Sequence, residues 1–429
     1  MYTNMLSTFL KILTTLLVVL TPVATEGTTD PVPANGCVVV TGATGWVAGH
    51  VIETLFSKGF KVHGTVRDTS NKKKLKHLLM LEGKYKSMGA SLQLFQADLF
   101  EENAYDEAAK GCVGFIHVAS IVVKEDDDPQ VQVNGATKGT VSALVAAKKA
   151  NIKHVVVTSS VASLSPTVSR LQTKLEHCDR AYDITDTNDY ASLHVNTYSY
   201  SKTMAEKETN VWMIANDSPF RLSTTHFAMA WGPQQTSRVT SSQNAILVVA
   251  KREWPFYAPL YFHGVDVRDV ARAHVHLLMD TRASGRYIVA LDQKETSVSM
   301  YDVNLALKED ASLYNQLHYS IEWKLPVWMF RKMLWLNPLL DPSMLVAAKR
   351  GHGCGFDGTR LVKELHFEYL HTSIQQTIRD STKSFVEFGL VGIERPKWHW
   401  LFGAVFVFII VVVSYAFRRC CCSSKEKKP

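Results

Sequence analysis

The chain has 429 residues, 46% of them hydrophobic and 20% charged, which excludes a disordered protein and suits two globular units with appendages. Its formal net charge of +7 is largely local, concentrated in the lysine-rich stretch 71–74 and in Arg418, Arg419, Lys425, Lys427 and Lys428. No basic stripe with interleaved aromatics is present, so nucleic acid is not an expected partner.

Residues 5–24 contain an unbroken apolar run at 12–20, of signal-peptide size, followed by small residues at 21–27; Lys11 is the only basic residue ahead of the run. A signal peptide or N-terminal anchor is expected over 1–25, and an acidic, proline-bearing linker over 26–36. Apolar runs then alternate with helical stretches: strands at 37–41, 60–66, 91–97, 113–118 and 154–159, and helices at 46–58 and 134–150. In the first helix Val47, Val51, Ile52 and Leu55 share a face. A polar, looped stretch at 173–197 leads to a helix at 198–215, a strand at 223–230, a helix at 266–280 and a strand at 285–291.

Apolar strands spaced by helices imply repeated βαβ units, so the expected fold is α/β, a doubly wound parallel sheet of Rossmann type over 37–292. Residues 293–391 are mostly helical and less regular, and are expected to form a smaller substrate lobe. The apolar stretch 328–340 within it reads as core or as a membrane-docking surface.

The eighteen residues 400–417 carry no charge and have Trp398 and Trp400 at their entrance, the pattern of a transmembrane helix. Arg418 and Arg419 follow at once, which places the tail 418–429 in the cytosol, and Cys420–Cys422 stand where cysteines are palmitoylated. The final Lys425-Glu426-Lys427-Lys428-Pro429 resembles a dilysine retrieval signal and points to the endoplasmic reticulum. Cys37, Cys112, Cys178 and Cys354 show neither disulfide-framework nor metal spacing, and Cys37 and Cys112, bordering apolar runs, read as buried thiols. Unpaired thiols suit the cytosol. The signal-like N-terminus, the basic tail and a sequon at Asn216-Asp217-Ser218 suit a lumenal catalytic domain, and the balance favours the lumen.

Three motifs carry chemistry. Thr41-Gly42-Ala43-Thr44-Gly45-Trp46-Val47-Ala48 joins the first strand to the first helix, where glycines let the backbone approach a pyrophosphate resting on the helix N-terminus. At the end of the second strand stands Val66-Arg67-Asp68. An acid there holds a ribose hydroxyl and an arginine accommodates a 2′-phosphate, so Arg67 points to NADP(H), with Asp68 keeping NAD(H) as the lesser alternative. Tyr198 and Lys202 lie one helical turn apart on one face, and Ser160 follows a strand. An ammonium beside a tyrosine favours its phenolate, which would suit proton transfer, with Ser160 bonding the substrate oxygen.

With Ala97-Asp98-Leu99, 111–120 (GCVGFIHVAS), 157–162 (VTSSVA), 198–206 (YSYSKTMAE), Gly232-Pro233-Gln234, 265–274 (VDVRDVARAH), Gly285-Arg286-Tyr287 and 356–367, the chain resembles the extended short-chain dehydrogenases/reductases. It is most similar to their dihydroflavonol-reductase, cinnamoyl-CoA-reductase and yeast carbonyl-reductase group. The resemblance implies pyrophosphate contacts from Gly42, Thr44, Gly45, Trp46 and Val47, and a 2′-phosphate site at Arg67 and Lys74. It also implies adenine contacts from Asp98 and Leu99, nicotinamide-ribose contacts from Val118, Ala119 and Ser120, and a catalytic trio of Ser160, Tyr198 and Lys202. The family places a proline five residues before its Gly-Pro pair; Phe227 stands there. The expected activity is NADP(H)-dependent hydride transfer on a carbonyl/alcohol pair. The alternatives are a 3β-hydroxysteroid or sterol dehydrogenase and a catalytically idle NADP-binding membrane sensor or scaffold; a sugar-nucleotide epimerase fits Arg67 less well.

Overall fold

A computed structural model describes residues 31–33, 35–121, 128–165, 180–194, 196–254, 256–291, 297–317, 323–336 and 354–391. The N-terminal segment 1–25 and the run 400–417 with its tail lie outside these residues. Among the described residues, no helix is long and apolar enough to cross a membrane.

The first half of the chain winds as β1 (Cys37–Val40), α1 (Trp46–Ser57), β2 (Lys61–Val66), α2 (Lys72–Tyr85), β3 (Ser91–Gln96), α3 (Asp106–Ala109), β4 (Gly114–His117), α4 (Pro129–Lys149) and β5 (His154–Thr158). Next come α5 (Thr197–Ala215), β6 (Arg221–Phe227), β7 (Met229–Trp231), α6 (Ser241–Lys251), β8 (Tyr261–Asp266), α7 (Val267–Met279) and β9 (Gly285–Val289). The remainder is β10 (Ser297–Ser299), α8 (Met300–Lys308), α9 (Ala311–Gln316), α10 (Val327–Leu336), α11 (Thr359–Leu365) and α12 (Ile374–Glu387).

The strands are short, continuous apolar runs because both of their faces are covered. Val38, Val40, Ile116 and Val156 point into a core shared with α1 and α7, whereas Val39, Phe115, Val155 and Val157 point into the opposite one, shared with α4. Seven strands pair in parallel in the order β3-β2-β1-β4-β5-β6-β9. The winding direction reverses between β1 and β4, which leaves a crevice at the carboxyl ends of those strands. The expected parallel α/β sheet is present.

A second, smaller layer holds the three-stranded sheet β10-β8-β7 under α6, α8 and α12. Its core joins Trp231, Leu247 and Tyr257 to Val298, Phe330, Ile378 and Phe385. The lobe therefore draws on residues before 293 as well as after it, because β7 leaves the main sheet immediately after β6. In return, Leu361, Leu365 and Phe367 pack into the first core. The strand expected at 223–230 is two strands, and α6, β8 and α2 add elements that the sequence periodicity did not mark.

The cysteine reading is corrected. Cys37 and Cys112 are not free thiols but a disulfide, with Cα atoms 4.4 Å apart and 75 residues of sequence separation. The bond joins the start of β1 to the residue pair ahead of β4, two adjacent strands, so the chain's own register brings the sulfurs together. Closing so long a loop removes roughly 4 kcal/mol of unfolded-state entropy. Cys354 is disulfide-bonded as well.

Candidate active site

The turn after β1 is built around one hydroxyl. Thr41 is fully buried, and its Oγ1 accepts from the backbone N–H groups of Val118 and Ala119, both at 3.0 Å, and meets His117 Nδ1 at 3.0 Å. Gly42 follows with φ +63, and a Cβ there would sit 3.1 Å from Ala119 Cα. The two loops that open the crevice are thus locked against one another, and no side chain fits between them. Gly42 N–H donates to Thr65 Oγ1 at 3.2 Å, tying the same turn to β2.

Gly45 caps α1 with no side-chain bond, and no acid stands in the first turn, so the amides of Trp46 and Val47 begin the helix without an internal anionic partner. The arrangement fits a pyrophosphate. The Trp46 indole does not point that way: its Nε1 donates to Pro233 O at 2.9 Å, leaving only the main chain for such a contact.

At the end of β2, Arg67 is exposed and makes no ion pair among the described residues. Asp68 turns back on its own loop, accepting from Ser70 N–H at 2.9 Å and Ser70 Oγ at 2.6 Å, bonds that hold its carboxyl below the usual range. One oxygen of that acid is thus engaged by its own loop, while Arg67 beside it is left to meet a 2′-phosphate. Lys74 lies in the first turn of α2, exposed, its N–H held by Asn71 Oδ1 at 3.1 Å. Asp98, after β3, accepts from Phe100 N–H at 3.0 Å, and Leu99 packs on α4 so closely that a Cβ at Gly139 would lie 2.3 Å from Leu99 Cδ2.

Ser160 leaves β5, and its Oγ accepts from Ala162 N–H at 3.2 Å. Ser160 lies near enough to the Tyr198 hydroxyl to pull its pKa downward. Lys202 Nζ donates to Thr158 O at 3.3 Å and stands 5.9 Å from the centre of the Tyr198 ring. Ser120, Ala119, Thr158 and Lys202 line one pocket, so the loop after β4 meets the helix that carries Tyr198 and Lys202. Ser160 and Lys202 are each 7% exposed, whereas Tyr198 leaves 36% of its surface open.

The electrostatics differ from the sequence expectation. Burial pushes the Tyr198 phenol up, against a downward pull from Ser160, so the tyrosine keeps its proton at neutral pH. Burial also lowers Lys202 to about 8. The ammonium does not make a phenolate here, because it lies beside the ring and bonds a backbone carbonyl.

A buried chain behind Ser160 was not foreseen. Ser163 Oγ donates to Ser160 O at 2.9 Å and lies 3.2 Å from His226 Nδ1, and His226 Nε2 is 3.6 Å from Glu206 Oε1. Glu206 pairs with Arg286, which also donates to Ile184 O at 2.8 Å and Asp186 O at 2.9 Å. Burial works to raise Glu206, but His226, Arg286 and Ser163 outweigh it and hold the carboxyl below its usual range. The available signal was Glu206 standing one helical turn beyond Lys202, on the same face as Tyr198 and Lys202. Phe227 ends β6 and packs against the first core and His274, with ring centres 6.2 Å apart.

Three buried histidines stay neutral. Burial lowers His117 to about 3 and His226 and His274 to about 4. Since the unfolded chain binds these protons first, stability is complete above the ordinary histidine value of about 6.5 and falls as pH drops below it, by about 2 kcal/mol per histidine at pH 5. Urea unfolding should show several kcal/mol lost between about pH 7 and about pH 5; an unchanged midpoint would mean that these rings are not held neutral.

Among the described residues one trio could hold a metal ion, Cys37, His63 and Cys112, with ligand atoms within 4.8 Å of one another; two of the three are the disulfide sulfurs.

Residues 39–275, just over half of the chain, match the 3-beta hydroxysteroid dehydrogenase/isomerase family. Tetraketide alpha-pyrone reductase 1 of Arabidopsis thaliana is 29% identical over 74% of this chain and 97% of its own length. A cinnamoyl-CoA reductase of Medicago truncatula is 34% identical over 58% of this chain and 74% of its own. The crystal structure of Gre2 from Candida albicans in complex with NADPH superposes with a TM-score of 0.63 at 26% identity, covering 82% of this chain and 99% of that one. With the crevice, Arg67 and the Ser160–Tyr198–Lys202 cluster, these likenesses converge: the chain belongs to the 3-beta hydroxysteroid dehydrogenase/isomerase family within the extended short-chain dehydrogenases/reductases, and is an NADP(H)-dependent oxidoreductase of carbonyl and alcohol groups.

Proposed function

We propose that the protein is an NADPH-dependent reductase of a lipophilic aldehyde or ketone, anchored in the endoplasmic-reticulum membrane by 400–417, with its catalytic domain in the lumen. One observation supports the reductive direction: the relatives that this chain matches are named as reductases, and the Ser160, Tyr198 and Lys202 cluster is assembled at its site. Ser160 orients the carbonyl oxygen, Tyr198 delivers a proton to it, and Lys202 steadies the charge left on the tyrosine. When bound, NADPH supplies the hydride. Gly42, Thr44, Gly45 and the amides of Trp46 and Val47 would hold its pyrophosphate, and Arg67 and Lys74 its 2′-phosphate. Asp98 and Leu99 would flank adenine, and Val118, Ala119 and Ser120 the nicotinamide ribose. Cofactor turnover with a panel of aldehydes, ketones and sterols tests the reading; no turnover with any of them would favour an idle NADP-binding protein, which the intact trio argues against. The family match favours one second reading, a sterol-type alcohol dehydrogenase.

Arg67→Ala should weaken NADPH by about 10- to 100-fold, a charge-assisted contact of roughly 1.5–3 kcal/mol, while NADH affinity barely changes. Fluorescence titration with both cofactors checks it, and equal losses would remove Arg67 from the 2′-phosphate site.

The disulfides at Cys37–Cys112 and Cys354 support the lumenal placement, since such bonds persist in oxidising compartments. The sequon is a weaker guide, because Asn216 Nδ2 donates to Trp212 O at 2.9 Å and its Oδ1 accepts from Lys148 at 2.7 Å. In sealed microsomes the domain should resist protease until detergent is added. Digestion to a membrane stub without detergent would overturn the lumenal reading.

A further inference from the structure

The lobe that carries β7, β8 and β10 exposes three tryptophans: Trp254 at 39%, Trp323 at 43% and Trp328 at 62%. Large rings are not left in water at random when they cluster. Phe256 bridges two of them, with ring centres 6.0 Å from Trp254 and 5.7 Å from Trp323. Tyr257 N–H donates to Trp323 O and Leu325 N–H to Tyr257 O, both at 2.9 Å, so the two segments are fixed side by side. Trp328 follows on α10, whose Phe330 is buried in the second core at 2% exposure while Trp328 and the exposed Arg331 and Lys332 remain outside. Lys332 Nζ lies 5.5 Å from the Trp328 ring, and Lys324, also exposed, lies 3.7 Å from that of Tyr301.

We propose that Trp254, Trp323 and Trp328, together with Lys324, Arg331 and Lys332, form the surface by which this lobe lies on a phospholipid bilayer. Indole rings prefer the headgroup level, where an apolar body and a polar N–H are both satisfied, and cations beside them meet lipid phosphates. The inference rests on the anchored reading above. Val391 packs in the same core as Tyr257, Leu325 and Phe330, and only eight residues separate it from 400. Even fully extended, that linker spans about 30 Å, so an anchored chain holds this lobe close to the membrane.

The test uses the full chain in vesicles of phosphatidylcholine and phosphatidylserine, with ordinary or dibrominated acyl chains. Bromine should quench part of the tryptophan emission. That part should shrink in Trp254→Phe/Trp323→Phe/Trp328→Phe and in Lys324→Glu/Arg331→Glu/Lys332→Glu, with turnover of a water-soluble carbonyl kept as evidence of folding. Quenching unchanged in both variants would overturn the docking surface, as would a second copy of the chain shielding these rings from lipid. Carbonate extraction separates the two ideas: an anchored chain whose quenching ignores the variants loses the docking surface alone, whereas release of the wild type by carbonate removes the anchor.

Discussion

Tyr198→Phe should lower kcat by about 10²- to 10⁴-fold, the usual contribution of a positioned acid–base group, while NADPH still binds. The substitution removes one oxygen and leaves the ring, its place on α5 and its distance from Lys202 intact. The hydroxyl is the atom that matters because it stands near Ser160 and, raised by burial, carries a proton at neutral pH. Tyr200 cannot substitute for it, since two residues further along a helix is nearly the opposite side. Stopped-flow turnover beside a cofactor titration checks the result, and a variant with near wild-type kcat would move the proton donor elsewhere.

The second large effect is on stability. Arg286→Met strips the partner from Glu206, whose side chain is 6% exposed, and leaves a buried carboxylate facing His226. Breaking a buried pair from one side costs about 3–5 kcal/mol, more than the pair itself contributes, because the remaining charge has no water to turn to. Arg286 also releases the carbonyls of Ile184 and Asp186, so the loop before α5 loosens with it. Urea denaturation should show the loss, and Glu206→Gln/Arg286→Met should recover a large share of it. A single variant within about 1 kcal/mol of wild type would mean that the pair is already solvated.

Much of this site could be read from the sequence, for a physical reason. The cofactor crevice depends on short-range chemistry: a glycine that must take φ +63, a helix start without acids, and a Tyr-x-x-x-Lys spacing fixed by helical geometry. Each is a local constraint written in neighbouring residues. What escaped the sequence depends on pairs far apart in the chain. Glu206 and Arg286 are 80 residues apart, Cys37 and Cys112 75, and neither distance leaves a trace in periodicity. The direction of the Tyr198 shift escaped for a related reason, because spacing places an ammonium near a ring but does not say which carbonyl the ammonium will choose. The substrate lobe escaped in part because its sheet is assembled from three strands drawn from both sides of β9.

Asp68 has a consequence for anyone wishing to redesign the cofactor preference. Its Oδ1 is held by Ser70 through two bonds and Lys74 stays beside the 2′ position, so deleting the guanidinium at Arg67 weakens the preference for NADPH without creating one for NADH. Gaining that selectivity requires freeing the acid first, by replacing Ser70 and reshaping the turn that leads into α2. The aspartate next to Arg67 has one oxygen engaged by its own loop, and a local turn therefore bears on both dinucleotide preferences.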